Sequence, residues 1–363
     1  MKQNDFKIIK NTLGCDFLVK LPSDRASGAV RILQITDPQI VDSSQRRYPD
    51  RLSESCIKAW APENLDRQCG NHIRSLIEQT KPDLIFVTGD IVYGEFDDNG
   101  TALKWLVDLM ESFRIPWAPV FGNHDNESKM GVAYQCRLFE DGDYCLFKRG
   151  EVSGNGNYTV GVSVGDKLVR LLHMLDSNGC RHSADPSVVS APGLYPDQLE
   201  LVEHNTAAVR AETGEDVPAF MAFHIPHSIF HEAELEKGYV TPDRFYYTIG
   251  VDVEAQDGDF GFKCDSCDTF RTQADMVDFA HKNNIEAIFI GHHHNTATVI
   301  NYKGLKLVFG LKTGQYDSYI PGNIGGTLIT LSGKDYTVAC VSSMCPYGPV
   351  PVGEMRYDGF FQE

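Results

Sequence analysis

The stretch DLIFVTGDIVY, residues 83–93, decides the fold. Asp83–Thr88 reads as a strand whose four central residues, Leu84 to Val87, are all apolar. A strand without polar alternation is buried on both faces, the habit of a parallel sheet covered by helices. Gly89 and Asp90 follow at once, and Tyr93 closes the stretch. Working outward, Arg31–Thr36 (RILQIT) and Trp117–Phe121 (WAPVF) have the same character. Helical spacing fills the gaps: Leu65–Gln79 carries Ile73, Leu76 and Ile77, and Thr101–Phe113 carries Leu103, Leu106, Val107 and Met110 on one face. Strand and helix alternate, which predicts a layered α/β architecture.

The second half repeats the idea with looser spacing. Tyr158–Val164 and Lys167–Leu175 read as a hairpin turning at Gly165-Asp166, and Pro196–Ala211 as a helix. Ala219–Phe223 is a strand, Phe270–Asn283 a helix, and Ala287–Ile290 a strand. Ala297–Asn301, Leu305–Phe309, Thr327–Leu331 and Tyr336–Val341 are strands that close the unit. Residues 1–29 form a lead-in, a strand or hairpin packed on the main body, and residues 30–363 a single domain.

Composition narrows the function classes. The chain has 363 residues, 42% hydrophobic and 23% charged, an ordinary globular balance. Fifty acidic against 33 basic residues leave a formal charge of -17, which opposes nucleic acid and anionic membranes as partners. No leader and no membrane-spanning run is legible, and ten cysteines scatter through a chain large enough to build its own core. The expectation is a soluble cytoplasmic protein with reduced thiols.

The chemistry stands at the strand ends. RILQIT is followed by Asp37-Pro38-Gln39, DLIFVT by Gly89-Asp90, and WAPVF by Gly122-Asn123-His124-Asp125. AFMAF is followed by His224-Ile225-Pro226-His227, and AIFI by Gly291-His292-His293-His294. In open α/β sheets ligands bind at the C-terminal ends of strands. Any one of these clusters is an ordinary turn. Five together are metal-binding residue types delivered to one edge, and oxygen and imidazole donors without thiolates suit Mn, Fe or Zn.

This order resembles the calcineurin-like metallophosphoesterase superfamily over roughly Val30 to Leu331. The resemblance implies a four-layer α/β/β/α sandwich of two mixed sheets flanked by helices, and two metal ions that hydrolyse phosphate esters through a metal-bound hydroxide. Matched by position, Asp90 would bridge both metals, with Asp37 and His294 at the first and Asn123, His224 and His292 at the second. His124 would face the phosphate and protonate the leaving group.

Two positions qualify the match. The family's first block is commonly Asp-X-His, whereas Gln39 stands here, able to offer a neutral amide oxygen or to orient a water. Gly89-Asp90-Ile91-Val92-Tyr93 is similar to the block of purple acid phosphatases, which also lack that histidine and bind ferric ion through the tyrosine. Tyr93 is therefore either a ligand, with a mixed-valence Fe(III) centre, or an aromatic packed beside two divalent ions. A tyrosinate added with a trivalent ion leaves the net charge of the centre unchanged.

Other candidates are weaker. Gly161-Val162-Ser163-Val164-Gly165 matches a nucleophile elbow, but that motif needs a helix next and the alternation here continues into a strand. Cys264-Asp265-Ser266-Cys267 is either an incidental loop pair or a zinc or disulfide staple. His227, Arg46 and Arg47 are candidates for substrate contact, as arginine can grip phosphate with two hydrogen bonds. Arg181-His182 and the loop 228–260 are further candidates to line the cleft. His293 alternates away from its two neighbours. The expected activity is hydrolysis of a small phosphate ester or phosphoprotein, monoesters slightly favoured. A phosphodiesterase and a non-catalytic metal-binding scaffold are the alternatives; oligomeric state stays open.

Overall fold

A computed structural model describes residues 6–24, 28–40, 62–93, 100–125, 130–179, 181–182, 185–265, 269–314, 320 and 323–343, with the backbone alone at 62–68 and 181–189. In chain order the first half comprises β1 (Lys7–Thr12), β2 (Cys15–Leu21), β3 (Val30–Ile35), α1 (Pro62–Thr80), β4 (Leu84–Thr88), α2 (Thr101–Ser112), β5 (Trp117–Val120) and α3 (Val132–Glu140). Next come β6 (Tyr158–Val164), β7 (Lys167–Met174), β8 (Arg181–His182), β9 (Asp185–Val189), α4 (Pro196–Thr213), β10 (Ala219–Ala222) and α5 (Ile229–Glu236). The chain continues through β11 (Tyr247–Thr248), β12 (Phe260–Lys263), α6 (Met276–Lys282) and β13 (Ile285–Ile290). It ends with β14 (Thr296–Tyr302), β15 (Leu305–Phe309), β16 (Gly325–Ser332) and β17 (Asp335–Ser342).

Two mixed sheets result. One has five strands in the order β17-β16-β3-β4-β5, parallel from β3 to β5. The other has ten, β1-β2-β6-β7-β10-β13-β15-β14-β12-β11, with a parallel centre of β7, β10, β13 and β15. The lead-in is a β1–β2 hairpin, and β2 pairs in parallel with β6.

The sheets pack face to face because their strands are apolar on both sides. Phe86 of β4 meets Phe289 of β13 edge-on at 5.5 Å, and the Tyr158 hydroxyl of β6 donates to the Pro119 carbonyl of β5 at 2.6 Å. Helices cover the outer faces. Leu103, Leu106, Val107 and Met110 of α2 are buried with the five-stranded sheet, as their spacing predicts. Leu199 and Val202 of α4, Phe230 of α5 and Phe279 of α6 are buried against the ten-stranded one. Each such side chain contributes roughly 1.5–3 kcal/mol by leaving water. The architecture is the four-layer α/β/β/α sandwich of two mixed sheets.

One helix is shorter than its pattern suggests. The expected span was 270–283, but α6 begins at Met276, because Asp275 caps it by accepting the Val277 and Asp278 N–H groups. Upstream, Phe270 is bonded as an extended bridge, its N–H donating to Pro226 and its carbonyl accepting from Ser228. Ser163 lies within β6, and the chain turns from there into β7 rather than a helix. No helix among the described residues is long and apolar enough to cross a membrane.

Candidate metal centre

The ends of β3, β4, β5, β10 and β13 bring their loops to one place. The loops approach so closely that two glycines leave no room for a side chain. A Cβ on Gly122 would lie 2.2 Å from Asp90 Oδ1, and one on Gly291 would lie 2.1 Å from Thr36 Oγ1 and 2.6 Å from Asp37 Oδ2. The backbone is also strained here: Asp37, Gln39, Asp90 and His292 all take positive φ, 48°, 45°, 48° and 72°. Such conformations cost on the order of 1–3 kcal/mol each and cluster where function demands them.

Asp37, Asp90 and His294 form one group whose ligand atoms lie within 4.8 Å of one another; Asp90, His224 and His292 form a second. Asp90 belongs to both, and its oxygens divide between them. Oδ1 is 3.3 Å from His224 Nε2, whereas Oδ2 is 3.4 Å from Gln39 Nε2. Asn123 Oδ1 is 3.2 Å from His224 Nε2, which places it at the second group. His224 donates through Nδ1 to the Thr88 carbonyl at 2.7 Å, so Nε2 is the nitrogen turned to the centre.

Asp37 shows that a cation fits. Its Oδ2 accepts from Thr36 Oγ1 at 2.6 Å and from the His292 N–H at 3.1 Å. Its Oδ1 is fully buried without a hydrogen-bond donor and lies 3.5 Å from His294 Nε2. A buried carboxylate oxygen left without a donor is costly, and a metal ion supplies what is missing. The donor set, oxygen and imidazole only, suits Mn, Fe or Zn.

Electrostatics tie the groups together. Burial works to raise the Asp90 carboxyl, but His224 and His124 hold it well below its ordinary value. Burial works to lower His224, yet Asp90 lifts it to about 9. Burial, with His224 beside it, lowers His292 to about 3, which keeps that imidazole neutral and its lone pair free to ligate. Asp125, behind the centre, accepts the N–H groups of Ile91, Val92 and Gly122 at 2.8, 3.0 and 2.7 Å. Burial and the nearby Asp90 push it up to about 7.

The remaining candidates are distributed as follows. His124 donates its backbone N–H to Asp90 Oδ1 at 2.9 Å, and its ring rests on Tyr93 with centroids 4.6 Å apart. Gln39 turns its amide oxygen to Lys312, not to the donor groups, and its nitrogen to Asp90 and His294. His227 is buried, accepts the Ile229 N–H at Nδ1, pairs with Thr272, and lines a cavity of about 320 Å³ with Glu232, Arg271 and Tyr302. Burial lowers it to about 4. His293 turns away from both groups and stacks on Phe309 at 4.6 Å. Cys264 is half-buried, its thiol pushed up to about 12 by burial. Arg46, Arg47 and Cys267, and the side chains of Arg181 and His182, lie outside the described residues.

Sequence reasoning missed three participants. Asp265 accepts the His294 N–H at 3.1 Å from inside the cysteine loop. Asp125 was visible in its block but carried no assigned role. Lys312 lies in Gly310-Leu311-Lys312-Thr313-Gly314 after β15, a sixth strand end and one flanked by glycines, and that was the available signal.

A sequence model of the calcineurin-like phosphoesterase family matches residues 30–296. Among curated proteins, the chain is 25% identical over 311 residues to "Probable inactive purple acid phosphatase 28" of Arabidopsis thaliana, covering 79% of this chain and 70% of that protein. It is 27% identical over 239 residues to "Phosphatase DCR2" of Saccharomyces cerevisiae, covering 62% of this chain but only 39% of the yeast protein. Among solved structures, a dimetal phosphatase from Danio rerio aligns with a TM-score of 0.48 at 12% identity, covering 86% of this chain and 96% of that one. Purple acid phosphatase PPD1 from yellow lupin (Lupinus luteus) aligns at 0.41 and 13% identity, covering 92% and 55%.

Proposed function

The chain belongs to the calcineurin-like phosphoesterase family, and on that footing we propose that it hydrolyses phosphate esters at two cations bridged by Asp90, favouring monoesters over diesters. The observation that carries this reading is the shared carboxylate: Asp90 belongs to both donor groups, one oxygen facing His224 of the second and the other facing Gln39 beside His294 of the first. If both groups hold a cation, Asp90 would supply the negative charge that the two positions share. Asp37 and His294 would complete the first position, and Asn123, His224 and His292 the second. When bound, such ions screen the charge of a phosphoryl group and bring the pKa of water toward neutrality.

The protein's own residues do the rest. Thr88 fixes the His224 tautomer, and Thr36 with the His292 N–H fixes Asp37. His124 is pinned from two sides, by its backbone bond to Asp90 and by Tyr93 against its ring. In that position it gives a proton to the departing alkoxide. Arg46 and Arg47 are proposed to reach the phosphate, on a small metabolite or a phosphoprotein.

The test compares a nitrophenyl monoester, its diester and an alkyl phosphate on one metal-loaded preparation. Substituting His124→Ala should keep metal content and slow the alkyl ester on the order of 100-fold, the nitrophenyl ester far less. Equal losses would remove the general-acid role, and a diester preference would remove the monoester reading. No turnover with both ions bound would favour the scaffold, a reading to which the name of the Arabidopsis relative lends weight.

A further inference from the structure

Gln39 and Lys312 lie 273 positions apart and meet at the first donor group. Lys312 is 1% exposed, and its ammonium donates to Gln39 Oε1 and, at 3.3 Å, to the Asp37 carbonyl. An ammonium has donors only, so this contact fixes which end of the amide faces it. The Gln39 NH2 must then face the centre. There it lies 3.0 Å from His294 Nε2 and 3.4 Å from Asp90 Oδ2. The amide hydrogen therefore takes the His294 lone pair that a metal ion would take. Turning the amide to offer its oxygen would set its NH2 against the ammonium, donor against donor.

At the second group no other side chain sits in the ligand's place among the described residues, and a cation there need displace only the proton that His224 Nε2 shares with its acceptors. That nitrogen faces Asp90 Oδ1 and Asn123 Oδ1, both acceptors that a cation would also engage. From this asymmetry we infer that the Lys312–Gln39 pair occupies the first position in the metal-free protein and makes the two positions unequal: the second fills first, and the first fills only when Gln39 gives up His294. The inference rests on reading both groups as cation positions. It assigns Lys312 as a positioning residue, acting through Gln39.

The experiment titrates Mn2+ into metal-stripped protein, following heat of binding and the electron paramagnetic resonance signal together. The wild type should take up its ions in two steps separated by on the order of 10–100-fold in affinity, the span typical of groups just behind metal ligands. The first equivalent should give the six-line signal of an isolated ion, and the second should replace it with a coupled one. Lys312→Met, which keeps the stem and removes the ammonium, should draw the two steps together. Gln39→His, which restores a lone pair, should do the same if Lys312→Met fails to fold.

A single-step uptake with a coupled signal from the start would overturn this inference alone. An undiminished gap in both folded variants would overturn it too. Uptake of no ion at all would overturn both this and the proposed function.

Discussion

His173 is an imidazole that folding keeps from its proton. It is fully buried, held by Thr159 at 3.0 Å, and burial lowers it to about 4 against an ordinary 6.5. The unfolded chain therefore binds a proton between those values that the folded chain refuses. Its contribution to stability is complete above pH 6.5 and is lost as pH falls toward 4. Urea unfolding at pH 7 and pH 5 should find that wild type loses about 2 kcal/mol more than His173→Gln on acidification. Equal losses would mean that the folded protein opens to protonate this ring. The same scale separates what a sequence discloses from what it hides. Gln39 was legible as a departure because it sits where the block invites comparison. Lys312 was not, because its glycine-flanked segment marks a strand end without stating that the Asp37 carbonyl and the Gln39 amide lie beside it.

At the scale of elements, the long, fully apolar strands and the helix with four apolar residues on one face were readable from spacing. The eight-residue α5 and nine-residue α3 were not, since so few turns leave no period to detect. Phe270–Ala274 misled in the opposite direction, its apolar start being spent on a bridge to Pro226 and Ser228. The glycines of the strand-end blocks read as turn residues, yet two of them serve clearance. Gly291 lets β13 end against β3, with Thr36 and Asp37 in contact distance. Gly291→Ala should push the Asp37 side chain off its place and weaken the first metal position more than the second. Metal titration resolves this: an unchanged first step and a poorer second one is the expected record. Loss of both steps in a protein that melts normally would contradict it.

At the scale of the whole molecule, the sheets are clasped as well as packed. Arg170 of β7 is fully buried, its guanidinium 4.5 Å from the Phe220 ring and 5.4 Å from that of Tyr336 on the opposite sheet. It also donates to Glu286 and, at 3.1 Å across the sheets, to the Lys334 carbonyl. Arg170→Leu should lower stability by about 2–4 kcal/mol in urea unfolding, through the lost cation–π contacts and the lost bonds to Glu286 and the Lys334 carbonyl. A change below about 1 kcal/mol would make the clasp incidental. None of this was legible beforehand. Alternation of strand and helix foretells a parallel core, but not that β16 returns to lie beside β3.

That return has a consequence in time. The five-stranded sheet takes β3, β4 and β5 from early in the chain and β16 and β17 from its far end, while the ten-stranded sheet begins with β1 and β2. Neither sheet can close on a ribosome until nearly all of residues 7–342 have emerged. Domains usually fold as they are made, at about 5–20 residues per second. Here Asp37 waits for His292 and His294 through more than 250 residues of synthesis. A nascent chain arrested before β13 carries four of the six proposed ligands, Asp37, Asp90, Asn123 and His224, and an unfinished sheet on which to place them.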